Sequence, residues 1–300
     1  MTRWALAPAK VNLFLHVGAL SDQGWSMVPG RQRTHHPLSS LVAFADIGDR
    51  LKAEPCRWLE VNCVGPFAAE APDGETNLVL RAARAIAGAP RLSFLLEKNI
   101  PAQAGLGGGS ADAGACFRLL RELRFKSPAH ALMLALELGS DVPACSLSHP
   151  LVISGRGEGF LHWPEFAPLP AVLAWPGEGL STAAVYRAYD EAGAPGADDQ
   201  PEWRLLRSPE AAAEFLKTCR NDLEAPAIGL QPLIGDVLDA LCGEPETLLA
   251  RMSGSGSACF ALCRTPEAAW ALAERLAGRY PGWWVRACTL GEPPLWGDEA

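Results

Sequence analysis

The stretch Pro101-Ala102-Gln103-Ala104-Gly105-Leu106-Gly107-Gly108-Gly109-Ser110-Ala111 decides how this chain is read. Residues 91–98 before it read as a β-strand, and residues 110–123 after it read as a helix. Glycines carry no Cβ, so several backbone N–H groups can converge on one anion. The helix behind them turns its positive end, worth roughly half a charge, toward the same point. A polyphosphate is the natural guest. A glycine run alone serves equally as a turn or close-packing device; the strand and helix flanks favour the phosphate. A Walker A loop would need Gly-Lys-Ser/Thr, whereas Gly109 is followed by Ser110, Ala111 and Asp112. A dinucleotide fingerprint would open a βαβ unit with an acid about twenty residues on, and this run does not satisfy that.

Outward from the glycines, three other segments stand out. Asp141 lies in Gly139-Ser140-Asp141-Val142-Pro143, read as a tight turn in which Pro143 keeps Val142 from helical geometry. Lys10 lies in Pro8-Ala9-Lys10-Val11-Asn12-Leu13, a cation in an otherwise apolar strand. Each has a plain explanation: aspartates in turns cap backbone, and strand lysines snorkel to solvent. Together they suit phosphoryl transfer, in which a carboxylate accepts a hydroxyl proton and an ammonium steadies the developing charge. The third segment is Met252-Ser253-Gly254-Ser255-Gly256-Ser257, either a flexible turn or a place where backbone approaches a ligand.

Around these segments the chain mixes strands and helices in both halves, which gives an α+β expectation. Residues 3–18 and 38–64 read as mainly strand, 77–87, 128–138 and 181–192 as helix, and 171–175 as strand. Helices continue to about Leu241, followed by strand 258–262, helix 266–278 and strand 283–290. Residues 19–37 form a long surface loop, a functional one by its length. The proline-rich stretch Trp163 to Pro170 reads as a linker, placing one domain at 1–165 and another at 166–300.

A formal net charge of −8 excludes a binder that works through a broad basic field, so no nucleic-acid partner is expected. No segment approaches ~18 uninterrupted apolar residues, and Met1 to Gly18 lacks the plan of a secretion signal. The nine cysteines are scattered and complete no zinc site, so they read as buried thiols of a cytoplasmic protein with no membrane partner.

With these residues in hand, the chain resembles the GHMP kinase superfamily over Pro8 to about Gly291. The Pro8–Leu13 segment, the glycine loop continuing to Ala113, and the Asp141 turn match its motifs in order. Arg220-Asn221-Asp222-Leu223-Glu224 and the 252–257 segment match two more in the second half. The resemblance implies a two-domain architecture, a ribosomal protein S5 domain 2-like N-terminal domain and a ferredoxin-like C-terminal one, with the site in the cleft between them. It implies Lys10 and Asp141 as the catalytic pair, residues 101–111 around the phosphates of ATP, and Mg²⁺ carried with the nucleotide. No metal ligand is assigned; Ser110 and Asp112 either touch Mg²⁺ or cap the helix.

Within the superfamily, the glycine run and residues 220–224 favour the branch that phosphorylates a cytidine diphosphate-linked polyol, with Asn12 in its substrate motif. Acceptors such as mevalonate, homoserine or a sugar remain open, as does a nucleotide-binding protein without turnover. That branch carries Gly-Tyr-His after the first strand, the aromatic ring stacking on the base and the histidine reading its edge. Counting forward from Lys10 puts Gly24-Trp25-Ser26 there; counting back from Leu38 puts Thr34-His35-His36 there. His36 is preferred for reading the base, with Trp25 or His35 as the stacking ring.

Overall fold

The computed structural model describes residues 3–20, 35–88, 90–125, 131–155, 157–163, 165–193, 196–197, 199–202 and 204–297. Two long strands open the chain: β1 (Trp4–Val17) and β2 (Leu38–Pro55), paired antiparallel. The alternation read in β1 does not separate a wet face from a dry one, because Val11 to Val17 are buried on both sides. The pairing skips between Pro8 and Lys10 and again between Asn12 and Phe14. Such irregularities re-aim side chains, and here they bracket Lys10 and Asn12.

β3 (Glu60–Val64) and β4 (Leu92–Glu97) are parallel, with α1 (Leu78–Ala87) between them, and β4 pairs with β2. The Asn77 side chain caps α1 by accepting from the Val79 N–H at 2.9 Å, and Gly88 at φ 70° ends it. The glycine loop then leads into α2 (Gly108–Glu122). α3 (Ala131–Leu138) and α4 (Val142–Leu147) follow, and a hairpin of β5 (Leu151–Gly155) and β6 (Gly159–His162) lies against β2. α2 and α4 pack so closely that a Cβ on Gly114 would lie 2.5 Å from the Cys145 carbonyl oxygen.

The Asp141 turn differs from its sequence reading. Val142 is the first helical residue of α4, with Asp141 at the N-cap and Pro143 in the first turn. A first-turn proline lacks only an N–H that would have found no partner inside the helix, so the helix tolerates it. The capping role also falls away: Gly107 is the N-cap of α2, and no side chain caps it.

The second half runs β7 (Leu169–Trp175), α5 (Thr182–Glu191), α6 (Pro209–Lys217), α7 (Glu224–Leu230), α8 (Leu233–Cys242), β8 (Thr247–Met252), β9 (Cys259–Cys263), α9 (Pro266–Arg279) and β10 (Trp284–Gly291). Its antiparallel strands lie in the order β10-β7-β9-β8, the fourth, first, third and second by chain order, which is the ferredoxin-like arrangement. Pro170 belongs to β7 rather than to a linker, and it costs no ladder bond because pairing with β9 begins only at Ala171. β8 escaped the sequence reading because most of its residues are half-buried on both faces, which erases the period of two.

The halves share one sheet. β10 meets β2 at Leu290↔Ala45 and Gly291↔Phe44, and the short β11 (Trp296–Gly297) returns to β1. The chain is thus an α+β protein of two units whose last residues rejoin the first.

Candidate active site

Between the two units lies a cleft of about 520 Å³, whose wall combines the glycine loop, β1, the Asp141 turn, α5 and the 254–255 segment. The loop is held at several points. Gln103, Gly105 and Gly107 have φ of 52°, 74° and 67°, a left-handed series that two glycines make inexpensive. The Ala102 N–H donates to Glu70 at 2.8 Å, and the Lys10 N–H donates to the Leu106 carbonyl at 2.9 Å. A Cβ on Gly107 would lie 3.3 Å from Cβ and Cε of Lys10, so the loop rests on the lysine.

The first N–H groups of α2 have no carbonyl within the helix to meet. Only from Ala111, whose N–H donates to the Gly107 carbonyl at 2.8 Å, does the helix satisfy itself. Gly108, Gly109 and Ser110 therefore bring unfilled donors to the cleft they line. Leu106 and Ala111 are buried in the core behind it.

Lys10 is nearly buried, and its Nζ lies 3.1 Å from Asp141 Oδ2 and 2.9 Å from Asn12 Oδ1. An ammonium has three donors, so one is left for the cleft. The Asp141 carboxylate is more open, with 38% of its side-chain surface exposed. Asn12 is itself fixed, its Nδ2 donating to Ser40 Oγ at 2.7 Å.

The second half braces this arrangement through the two segments singled out in it. Asn221 Nδ2 donates to the carbonyls of Met252 and Gly254 at 2.9 and 2.8 Å. Glu224 accepts from the Met252 N–H at 2.8 Å, and backbone bonds join Leu15 to Arg220 and Asp222. The Ser253 hydroxyl accepts from the Asn12 N–H at 3.1 Å and donates to the Gly105 carbonyl at 3.0 Å. The 252–257 segment is therefore a brace between β1 and the glycine loop rather than a free turn. Arg251 fills the irregularity in β1, donating to the Leu13 carbonyl at 2.9 Å.

Some residues of the cleft carried no sequence signal. Tyr186 lines it from α5, and burial, reinforced by the nearby Asp141 charge, pushes its phenol up to about 12. Its helix reads as an ordinary amphipathic one, so nothing in the sequence marks that ring. His36 lies beside it at 5.2 Å between ring centroids, just behind the cleft wall. Its Nδ1 is 2.9 Å from the Gly18 carbonyl oxygen and its Nε2 is 3.2 Å from Asp190 Oδ1. Both nitrogens are engaged within the protein. Trp25 lies outside the described residues.

Among the described residues no cluster of three His, Cys, Asp or Glu side chains is arranged to cage a metal. Mg²⁺ accompanying a nucleotide needs only one or two protein oxygens beside the phosphates. Ser110 fits that description: it lines the cleft, and its Oγ would lie 3.8 Å from a Cβ on Gly139, next to the Asp141 turn.

The family models for the GHMP kinases N terminal domain and the GHMP kinases C terminal match residues 77–149 and 205–282. A 4-diphosphocytidyl-2-C-methyl-D-erythritol kinase of Caulobacter vibrioides is 48% identical over 295 residues, covering 95% of this chain and 98% of the relative. One from Cereibacter sphaeroides is 44% identical over 286 residues, covering 94% and 96%. The crystal structure of a 4-(cytidine 5'-diphospho)-2C-methyl-D-erythritol kinase superposes with a TM-score of 0.76 at 33% identity, covering 96% of this chain and 99% of that one. A homoserine kinase from Cytophaga hutchinsonii shares the fold at a TM-score of 0.63 and 17% identity.

Proposed function

The chain belongs to the GHMP kinases, and from that premise we propose that it transfers the γ-phosphoryl group of ATP to the 2-hydroxyl of 4-diphosphocytidyl-2-C-methyl-D-erythritol, a step of the non-mevalonate route to isoprenoid precursors. The observation that carries the reading is the Lys10–Asp141 pair at 3.1 Å beside a glycine loop with unfilled amides. Residues 1–165 form the ATP-binding and catalytic unit in this reading, and residues 166–300 the C-terminal unit that braces it.

The amides of residues 107–110 take the polyphosphate, as the head of α2 favours anions. Lys10, already fixed by two acceptors, points its remaining donor at the oxygens that gain charge during transfer. Asp141 orients the acceptor hydroxyl and takes its proton late, since phosphoryl transfer passes through a loose transition state. The hydroxyl oxygen bonds to phosphorus, the bond from the γ-phosphorus to the bridging oxygen breaks, and ADP leaves. Mg²⁺ would neutralise phosphate charge when bound, with Ser110 as a protein oxygen that would hold it.

Tyr186 offers the aromatic wall for the cytosine ring, and His36 either steadies that wall or, once released from Asp190, reads the base edge. All nine cysteines are free, which supports a reducing, cytoplasmic setting. The test is ADP release by the purified protein with the cytidine-linked substrate, mevalonate or homoserine as acceptor. Turnover with the first alone is expected; turnover only with another acceptor would move the chain to a different branch.

A further inference from the structure

One face of α2 runs along the Asp141 turn and α4. Ser110, Gly114 and Arg118 are spaced four residues apart and so stack on that face. A Cβ on Gly139, where the turn begins, would lie 3.8 Å from Ser110 Oγ, and Gly114 leaves room for the Cys145 carbonyl. Arg118 grips what the glycine admits. Its Nη1 donates to the carbonyls of Cys145 and Ser146 at 2.7 and 3.3 Å and to Ser148 Oγ at 3.0 Å. Its Nη2 reaches the other way, to the Leu6 carbonyl on β1 at 2.5 Å.

Both gripped elements lead to the cleft. Cys145 and Ser146 lie near the end of α4, whose other end carries Asp141, and Leu6 lies four residues before Lys10. α4 has six residues, a length of about 9 Å, and its last carbonyls find no partner inside the helix. A helix that short draws its stability from what it packs against. A cation at its C-terminal end suits the dipole and supplies the missing donors. The oxygens that Arg118 meets are all neutral. Its Nε is buried without a partner among the described residues. Burial lowers the guanidinium to about 10, so it stays charged in neutral solution. Its planar fork supplies what an apolar side chain of the same size does not, which is direction: α4 and β1 are fixed together in distance and angle.

We propose that Arg118 is a positioning residue for phosphoryl transfer, pinning the end of α4 to β1 and so setting the approach of Asp141 to Lys10. α4 behaves as a short rod, and a shift at Cys145 reappears at Asp141. A displacement of about 1 Å at reacting groups can cost around a hundredfold in rate. The effect on turnover rests on the kinase reading; the effect on geometry does not.

A crystal structure of full-chain Arg118→Met, solved beside the parent, tests the geometry. The Lys10–Asp141 contact, 3.1 Å in the parent, is expected to open beyond about 4 Å. An unchanged contact overturns the proposal whatever the enzyme phosphorylates. Steady-state kinetics, corrected for the folded fraction, test the consequence. In Arg118→Met, kcat is expected to fall about tenfold or more with KM for ATP within about twofold. In an Asp141→Asn background the same substitution should cost less than about twofold, since it acts through a carboxylate already removed. Full kcat in the folded fraction, or equal losses in the two backgrounds, overturns the positioning role. Arg118→Lys, whose ammonium cannot fork to α4 and β1 together, is expected to fall between the parent and Arg118→Met. Should Arg118→Met not fold, Arg118→Lys decides by the same two measurements, and a parent without turnover would count against the kinase reading while the structure still decides on Arg118.

Discussion

Lys10 of the first strand and Asp141 at the head of α4 meet at 3.1 Å, and the lysine lies directly under Gly107 of the glycine loop. Three segments far apart in the chain thereby share a few ångströms of space. What each does can be separated experimentally.

Asp141→Asn keeps the shape of the side chain and removes its capacity to accept a proton. Its kcat is expected to fall by about 10²- to 10⁴-fold with ATP affinity nearly unchanged. Steady-state turnover within twofold of the parent would remove Asp141 from the chemistry.

Gly105→Ala places a Cβ against the Ser253 carbonyl oxygen and 2.9 Å from the Gly256 nitrogen, at φ 74°. A loss of about 1–3 kcal/mol of stability is expected from the strained conformation, together with weaker ATP binding. Gly229→Ala in α7, with open space around it, is the control and should gain about 0.5–1 kcal/mol. Urea denaturation of the pair decides; identical midpoints would mean that the loop is not tightly seated.

Asn221→Ala leaves the carbonyls of Met252 and Gly254 without their donor. Stability should drop by about 1–3 kcal/mol. The activity deficit should exceed what the unfolded fraction explains, because Ser253 loses its place between Asn12 and Gly105. Full specific activity in the folded fraction would limit Asn221 to a fold-stabilising role.

Asp112 holds its proton to higher pH in the folded chain than its ordinary value of 3.8. The native state then binds more protons than the unfolded one, so stability falls as pH rises. The contribution is whole below the unfolded-state value and is lost as pH climbs through the raised native one. Asp112→Asn should therefore show a flatter fall in Tm as pH rises above the ordinary carboxylate range. Parallel Tm curves would mean that Asp112 is ionised in the native protein.

Tyr186→Ala should raise KM for the cytidine-linked substrate about tenfold or more while leaving KM for ATP in place. His36→Ala should follow in weaker form if the imidazole acts by steadying that ring. A larger effect from His36→Ala than from Tyr186→Ala would instead assign base reading to the histidine.

The local order of strand, glycines and helix was open to reading because its causes are local. The absence of Cβ atoms and the dipole of the next helix need no distant partner. For the same reason Asn77, Gly88 and the periodic helices fell where their residues place them. Pro143 was misjudged because a proline rule written for helix interiors does not bind the first turn. β8 could not be seen because its residues are half-buried on both faces.

The sequence by itself determined the chemical types: a glycine loop leading into a helix, one ammonium, one carboxylate and the order in which they occur. Tertiary structure alone decided which of them meet. It also supplied partners with no local signature: Tyr186 from an ordinary amphipathic helix, Asn221 as a clamp, and Asp49, Lys98 and Asp112 as a buried triad. Those placements depend on strand register, sheet order and burial, which arise from contacts between residues far apart in the chain, and no local propensity encodes them.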